Sequence, residues 1–214
     1  MQDNRESREL REPMTVRESL SAVLAVAVTG LAKAHGFRKK ALAFRRAHGQ
    51  TTQAISFQLS GGNTSREGAF YVNVGLSFDA VTALGGSTTG QLKIAGEPMQ
   101  FAAQLDDLVP GAPAVWEITE QTDPQELGAQ LGRALAPVLE RLDSIDSPAS
   151  MLRQFPLDQG AQRVLRAQFH YVAGDFGAAL AEVRQVAAQF ADRRGMSVED
   201  LIARHGLKEL TRLV

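Results

Sequence analysis

The chain has 214 residues, of which 44% are hydrophobic and 22% are charged, a composition typical of globular and not of disordered proteins. It contains no cysteine, which excludes disulfides, cysteine-based zinc sites and thiol catalysis. The net charge of −1 conceals an asymmetry, because residues 1–66 carry 11 basic and 5 acidic side chains whereas residues 67–148 carry 3 and 12.

The basic excess of the first third is concentrated where acidic residues are missing. No Asp or Glu occurs between Ser19 and Arg66, and the basic residues there are Lys33, Arg38, Lys39, Lys40, Arg45, Arg46 and Arg66. One interpretation is that this stretch binds an anion or an acidic partner. The other is that it faces solvent or pairs with the protein's own acidic middle, because exposed charges contribute little to stability.

The beginning of the chain predicts a tail followed by a capped helix. Residues 1–14 are charged and have no apolar pattern, which predicts a disordered tail. Thr15 and Glu18 then form a capping-box signature, in which each side chain satisfies the backbone N–H of the other residue.

The apolar run behind the cap predicts a buried amphipathic helix. Its apolar residues fall on one helical face from Val16 to about Ala34, and Gly36 is suited to the left-handed position behind the helix. Residues 20–34 also resemble the core of a signal peptide. However, acidic residues precede them and the run is too short to span a bilayer, so we expect a cytoplasmic protein that does not enter a membrane.

Period-two alternation after this helix predicts an antiparallel sheet with one polar face. The first strand follows the basic run 38–40 with Leu42 and Phe44, and the dipeptide 48–49 marks a turn. The apolar positions of the next two strands are Ile55, Phe57 and Leu59, then Phe70, Val72, Val74 and Leu76. The residues facing the other way are Ser56, Gln58 and Ser60, then Tyr71, Asn73 and Gly75.

The remainder of the predicted sheet is less regular. Residues 85–90 form a glycine-rich loop, whereas 91–94 and 99–105 are candidates for short strands at an edge. Ala114, Trp116 and Ile118 alternate with Val115 and Glu117 and predict the last strand.

The pattern becomes helical after Asp123, which caps a helix with Pro124 at its first position. Leucines at helical spacing continue this helix to about Leu142. Further helices are predicted at about 149–155, 160–173, 175–191 and 197–213. The segment 173–176 resembles the corner of a tetratricopeptide repeat, but a single unit predicts one helical hairpin and not an array. We therefore divide the chain into a tail (1–14), an α+β domain (15–146) and a C-terminal helical extension (147–214).

No catalytic or metal-binding pattern occurs in the sequence. It lacks a phosphate-binding loop and a nucleophile elbow. The histidines show no ligand spacing and are His35, His48, His170 and His205. We therefore expect no catalytic residue, no metal and no cofactor.

The candidate binding surface is the polar face of the central strands together with the basic first hairpin. Its residues are Arg38, Lys39, Lys40, Arg45, Arg46, Gln58, Tyr71 and Asn73. If this face is open, its hydrogen-bonding and cationic groups suit a peptide or a phosphate-bearing ligand. If it is covered, the same groups must pair inside the protein.

Four segments of the sequence resemble a known family. HGFRKK, AISFQLS, FYVNVGL and VWEI, the last ahead of a capped helix, are similar to a bacterial family of domains of unknown function (number four-three-zero-four). The matching positions are Gly36, Phe37, Lys39, Lys40, Ile55, Phe57, Gln58, Ser60, Phe70 or Tyr71, Val72, Asn73, Gly75 and Trp116. The resemblance covers about residues 15–145 and is weakest across 85–113. It implies the fold and no particular activity.

The sequence therefore predicts an α+β protein in which an N-terminal helix packs on four or five antiparallel strands, followed by a helical section with one tetratricopeptide-like hairpin. A non-enzymatic protein-interaction or regulatory role, with another protein as partner, is the function we expect first. The alternative is a nucleic-acid or phosphate-ligand binder that uses the basic hairpin. A second alternative is an enzyme centred on Tyr71, Asn73 and a nearby His or Arg.

Overall fold

The computed structural model describes residues 14–85, 92–94, 96–155, 157, 162–194 and 196–214. The predicted tail up to residue 13 and the glycine-rich loop beyond Gly85 lie outside these residues. The chain is α+β, as predicted. Its helices are α1 (Val16–Val23), α2 (Thr29–Ala34), α3 (Asp79–Thr82), α4 (Leu105–Leu108), α5 (Pro124–Asp143), α6 (Pro148–Gln154), α7 (Gln162–Val172), α8 (Phe176–Arg194) and α9 (Val198–Arg204). Its strands are β1 (Arg38–Lys40), β2 (Ala43–His48), β3 (Thr51–Leu59), β4 (Glu67–Phe78), β5 (Leu92–Ile94), β6 (Glu97–Met99), β7 (Phe101–Gln104) and β8 (Trp116–Thr119).

The N-terminal helix begins and ends where the sequence predicts. The capping box between Thr15 and Glu18 forms, and the backbone N–H of Thr15 donates to Glu18 Oε2 over 2.8 Å. A π-helical segment, Leu24–Val28, joins α1 to α2, and the Thr29 hydroxyl donates to the Leu24 carbonyl. Gly36 follows with a φ of +78°. The apolar pattern alone gave no sign of the π-helical segment.

Within the described residues, the main sheet has six antiparallel strands, more than the four or five predicted from the sequence. Its order is β1-β2-β3-β4-β7, and β8 pairs with the beginning of β4 on the same edge as β7. The basic run Arg38–Lys40 is a strand of its own and not the beginning of β2, because the chain turns at Ala41 and Leu42. β5 and β6 form a separate two-stranded sheet.

The helices cover the apolar face of this sheet, called the inner face below. The core between them is formed by residues from α1, α2, α5, α6, α7 and the strands, and the predicted inward side chains of β4 are all buried. The C-terminal section shares this core, because Phe155 packs on Phe101 and Phe169 packs on Phe78 with ring centroids 4.8 and 4.6 Å apart. The boundary at 146–147 stays a prediction. The helices of the described segments include none whose length and hydropathy would allow it to cross a membrane.

The predicted helical hairpin is present as α7 and α8. Gly174 closes α7 with a φ of +81°, and Asp175 Oδ1 accepts the backbone N–H of Ala178 at the beginning of α8. Between the two helices, the buried carboxylate of Glu182 pairs with guanidinium groups from α7. A second apolar cluster joins α7 and α8 to α9 and the 3-10 turn Lys208–Arg212.

Candidate functional site: a basic cleft beside the outer face of the sheet

The face of the sheet that lies opposite the helices, called the outer face, carries the predicted polar residues. The cross-strand register places five residues in one row across β1, β2, β3, β4 and β7, namely Lys40, Ala43, Ser56, Asn73 and Gln104. The next row pairs Gln58 with Tyr71. Gln58 is exposed, and Tyr71 and Asn73 are half-buried. The helices therefore leave this face open, which sequence reasoning had left undecided.

Part of the outer face is nevertheless covered by the β5–β6 hairpin. Ile94 and Met99 pack on a depression made by small residues of three neighbouring strands, Ala54, Gly75 and Ala102. A Cβ at Gly75 would lie 2.5 Å from Ile94 Cδ1 and 2.8 Å from Met99 Cγ, so only glycine leaves room for the hairpin. The hairpin thereby stands as a wall on the sheet and divides the outer face into a covered and an open part.

A cleft of about 450 Å³ opens at the β1–β2 turn, between this wall and α1. Its lining residues are Arg17, Lys40, Ala41, Leu42, Ala43, Arg45, Ser56, Phe57, Gln58 and Lys93. Four of them are basic, and no carboxylate or histidine is among them in the described part of the chain. The volume is in the range of small-molecule sites, and converging cations in a concave site strengthen the local positive potential.

The four cations of the cleft come from four different elements. Arg17 projects from α1, Lys40 ends β1, Arg45 lies on β2 and Lys93 lies on β5. The turn that brings β1 beside β2 is strained, because Ala41 has a φ of +53°. Left-handed backbone costs a residue with a Cβ about 1–2 kcal/mol, and this residue lines the cleft.

Arg45 ties the hairpin wall to the sheet. Its Nη1 donates to Glu97 Oε1 over 2.9 Å, and its Nη2 donates to the Ile94 carbonyl over 3.2 Å. The hydrogen bond from Arg45, helped by the positive charges of Arg45 and Lys40, holds the pKa of Glu97 below its ordinary value. Glu97 thus lies outside the cleft lining, and two cations of the cleft, Arg45 and Lys40, stabilise its negative charge.

Comparison with known families gives one match. The profile of a family described as "Domain of unknown function (DUF4304)" matches residues 28–141, which is more than half of the chain. The chain belongs to this family. No curated protein and no solved structure matches it. The resemblance noted in the sequence is confirmed, over a span narrower than the 15–145 expected from it.

The DUF4304 region contains most of the cleft. Lys40, Arg45 and Lys93 lie within the matched residues, whereas Arg17 precedes them. The helices that follow Asp143 also lie outside the match. The charged walls of the cleft are therefore largely a feature of the DUF4304 domain.

The structure brings some of the predicted site residues together and separates others. Lys40, Arg45 and Gln58 line the same cleft. Asn73 lies beside them, because its Nδ2 donates to Gln58 Oε1 over 3.3 Å, and Tyr71 is the cross-strand neighbour of Gln58. The predicted polar face and the predicted cations thus adjoin.

Three predicted residues lie elsewhere. Arg38 and Lys39 are exposed on β1 but do not line the cleft. Arg46 follows Arg45 in the strand and therefore points to the inner face. Of the five basic residues that the sequence predicts for the binding surface, only Lys40 and Arg45 therefore line the cleft.

On the inner face, Arg46 is enclosed by the protein. Its side chain is 7% exposed, and its Nη1 donates to Asp143 Oδ1 and to the His35 carbonyl, each over 2.5 Å. Its Nε donates to Gln53 Oε1 over 2.9 Å, and its guanidinium lies 4.5 Å from the centre of the Phe37 ring. These contacts join β2, the end of α2 and the end of α5, and we call them the Arg46 cluster.

Two histidines complete the inner-face contacts at the end of α5. His35 Nδ1 donates to Asp143 Oδ2 over 2.7 Å, and His48 Nε2 donates to the Asp143 carbonyl over 2.9 Å. Partial burial by itself would raise the pKa of Asp143, but the hydrogen bonds from Arg46 and His35 outweigh it and hold this pKa below its ordinary value. Both histidines therefore form contacts on the helix side of the sheet, and neither lines the cleft.

Sequence reasoning missed Arg17 and Lys93. Arg17 lies in the first turn of a capped amphipathic helix, where an exposed arginine is ordinary. Lys93 lies in the irregular segment 79–113, and it is the only basic residue between Arg66 and Arg133. This isolation in an acidic region was the one available signal. Among the described residues, no group of three or more His, Asp or Glu side chains is arranged to hold a metal ion.

Proposed function

We propose that this DUF4304 protein is a non-enzymatic binding protein whose basic cleft takes up a phosphate-bearing ligand. The observation that carries the proposal is the convergence of Arg17, Lys40, Arg45 and Lys93 on one cleft whose described lining contains no carboxylate. Cations that converge on a concave site attract anions. Phosphate in particular accepts both the paired donors of arginine and the single charge of lysine.

The shape and lining of the cleft support a small ligand, or the end of a chain, over a long nucleic-acid strand. Proteins that bind single strands follow the backbone with an extended basic groove and stack bases on several aromatic rings. Here the basic residues surround about 450 Å³, and Phe57 is the only aromatic residue of the described lining. The side chains of Ser56 and Gln58 add neutral donors that suit phosphate oxygens.

Neighbouring lysines on β1 give a matched test of this function. We expect Lys40→Glu to weaken the binding of inorganic pyrophosphate by about tenfold or more, because it removes one charge-assisted contact and adds a repulsive charge. Lys39→Glu changes the net charge by the same amount on the same exposed strand, but this side chain lies outside the cleft lining. Isothermal titration calorimetry at about 0.15 M salt, where the Debye length is about 8 Å, measures both affinities.

The comparison of the two variants decides the outcome. An affinity of Lys39→Glu within about twofold of the unchanged protein supports a local site, since screening weakens distant charges. Equal losses in both variants would indicate a diffuse attraction to the basic hairpin. Binding that stays constant as the salt concentration rises would rule out phosphate contacts altogether.

A second candidate function is the binding of an acidic segment of a partner protein. The observation that favours it is the open strip next to the cleft, where Gln58, Tyr71 and Asn73 remain accessible although the hairpin covers the part of the outer face around Ala54 and Ala102. A tyrosine between amide side chains offers both apolar area and hydrogen bonds to a peptide. The adjoining Lys40 supplies charge complementarity to an acidic segment.

Tyr71 separates this candidate from the first. We expect Tyr71→Ala to weaken the binding of a glutamate-rich decapeptide by about fivefold to tenfold if a protein segment uses the strip, because a half-buried aromatic contact is lost. The same change should leave pyrophosphate binding unaltered, since Tyr71 lies outside the cleft lining. Fluorescence anisotropy of the labelled peptide measures the effect. A decapeptide that fails to bind the unchanged protein would remove this candidate.

A bacterial and cytoplasmic setting is part of the proposal. The apolar run that resembles a signal-peptide core belongs to the first helix, and its Leu20 and Leu24 are fully buried in the main core. Removal of this run would take away one side of the core, which supports its retention in the working protein. The bacterial setting is inferred from the family resemblance alone.

A further inference from the structure

The rim of the basic cleft carries a carboxylate that already occupies one of its arginines. Glu97 lies on β6 and accepts from Arg45 Nη1 over 2.9 Å. The Arg45 side chain is 24% exposed and that of Glu97 is 57% exposed. A ligand that enters the cleft and requires the Arg45 guanidinium must therefore compete with an anionic group of the protein itself.

The ion pair between Arg45 and Glu97 can open at little cost in free energy, so that another anion can replace the Glu97 carboxylate. An exposed ion pair contributes little to stability, because water competes with it and both side chains lose freedom in forming it. The hairpin has a separate attachment, since Ile94 and Met99 are buried against the strands of the outer face. Glu97 can therefore rotate into solvent while the backbone of β5 and β6, and with it Lys93, keeps its place at the cleft.

We propose that the cleft binds the dianion of a terminal phosphate, a phosphomonoester or a pyrophosphate group, and that this phosphate replaces the Glu97 carboxylate on Arg45. The inference rests on the function proposed above and specifies its ligand and its regulation. A phosphate dianion carries twice the charge of a carboxylate and has three free oxygens. It can thus take the place of Glu97 at Arg45 Nη1, while Nη2 keeps the Ile94 carbonyl, and reach the ammonium groups of Lys40 and Lys93 with its other oxygens, which a single carboxylate cannot.

The same competition selects against phosphodiesters. A diester has one negative charge, so it gains no charge advantage over Glu97. It also carries a substituent on both sides of the phosphate, which the bounded cleft must accommodate. A monoester becomes a dianion only above its second pKa of about 6. Its affinity is therefore expected to rise between about pH 5 and pH 8, while Glu97 remains ionised throughout because its pKa is lowered.

Two small probes and one substitution test this inference. Phenyl phosphate is a monoester and diphenyl phosphate a diester, so they differ in charge and in substitution at one phosphate. We expect phenyl phosphate to bind the unchanged protein more tightly than diphenyl phosphate by about tenfold or more. Glu97→Gln keeps the size of the side chain and removes its charge, and we expect it to raise the affinity for phenyl phosphate by about threefold to tenfold. Calorimetric titration gives both comparisons.

Glu120→Gln is the matched control. Glu120 also forms an exposed ion pair, with Arg66 at 3.9 Å, and it lies outside the cleft lining. Its replacement changes the net charge of the protein by the same amount. An affinity gain confined to Glu97→Gln supports the exchange. Both variants remove an exposed carboxylate, so the temperature of unfolding is expected to stay close to that of the unchanged protein.

The remaining outcomes separate failure of this inference from failure of the proposed function. If phenyl phosphate binds in a Lys40-dependent manner but Glu97→Gln and Glu120→Gln behave alike, the exchange at Arg45 is wrong and the cleft remains a phosphate site. If diphenyl phosphate binds as tightly as phenyl phosphate, the selection for a dianion is wrong. If neither probe nor pyrophosphate binds any of the proteins, both this inference and the proposed function are wrong.

Discussion

Replacing Arg46 by alanine is expected to lower the free energy of unfolding by about 3 kcal/mol, the loss typical of a buried charged group with several hydrogen bonds. The truncation removes the donor for two acceptors inside the protein, the His35 carbonyl and the Gln53 amide oxygen. It also uncovers the Phe37 ring, over which the guanidinium lies. Asp143 loses its partner too, but its side chain is 44% exposed, so water replaces much of that interaction.

The neighbouring arginine provides the control for this prediction. Arg45→Ala removes the same side chain from the same strand, but on the outer face, where its ion-pair partner Glu97 is largely exposed. We expect it to cost no more than about 1 kcal/mol. Arg46→Lys keeps the charge but loses the planar fork, and should fall between the two. Urea unfolding followed by far-ultraviolet circular dichroism measures all three. Equal costs for Arg45→Ala and Arg46→Ala would contradict the structural role of the Arg46 cluster.

Replacing Gly49 by alanine is expected to cost about 3 kcal/mol or more, because two separate penalties act at this turn. Gly49 has a φ of +57°, and left-handed backbone costs a residue with a Cβ about 1–2 kcal/mol. An added Cβ would also overlap the carbonyl oxygen of Asp146 and lie 2.7 Å from Asp146 Cβ. That carbonyl accepts the backbone N–H of Gln50 over 2.6 Å, so the turn cannot retreat without breaking this hydrogen bond to the segment between α5 and α6.

Gly36 isolates the backbone penalty from the steric one. It also has a left-handed backbone, with a φ of +78°, but no atom lies within 4 Å of a Cβ placed there. We therefore expect Gly36→Ala to cost only about 1 kcal/mol. Thermal unfolding of the two variants gives the comparison, and a loss of about 3 kcal/mol corresponds to a fall of several degrees in the midpoint for a chain of this size. Similar losses at the two glycines would show that the contact with Asp146 is unimportant.

The two predictions on β2 and its turn bear on the cleft as well. Consecutive residues of a strand face opposite sides, so Arg46 fixes β2 to the helices while Arg45 faces the cleft. The contacts of Gly49 and the Arg46 cluster hold this strand at the end of α5. We therefore expect a variant that loosens either contact to have a lower free energy of unfolding. A loss of ligand binding in such a variant is assigned to the cleft only after comparison with Lys40→Glu.

Much of the fold followed from patterns that act over a few residues. The capping box at Thr15 and the left-handed glycine at Gly36 bound the first helix correctly, because both depend on local hydrogen bonds and local backbone geometry. The alternation in β3 and β4 assigned inner and outer faces correctly for the same reason. The number of strands was underestimated, since the basic run Arg38–Lys40 has no alternation of apolar side chains from which a separate edge strand could be recognised.

The candidate site was predictable only in part. Gln58, Tyr71 and Asn73 were placed on one face by period-two alternation, and the structure leaves these three residues accessible to solvent. Arg45 and Arg46 were grouped because they are adjacent in sequence, yet adjacency in a strand separates them in space. Period-two alternation from the apolar Phe44 already places Arg46 on the helix side and Arg45 on the other side, and the register between β2 and β3 agrees, because Arg46 lies opposite Gln53 and Arg45 opposite Ala54.

The sequence by itself determined the α+β class, the first helix, the polar face of β3 and β4 and the concentration of positive charge ahead of Arg66. These features depend on hydrogen bonds and side-chain periodicity within single elements. Only the tertiary structure decided that Arg17 and Lys93 join Lys40 and Arg45 in one cleft, because α1 and β5 lie far from the β1–β2 hairpin in the chain. Packing of the β5–β6 hairpin on the small residues around Gly75 is what brings Lys93 there, and no local pattern specifies such a long-range contact.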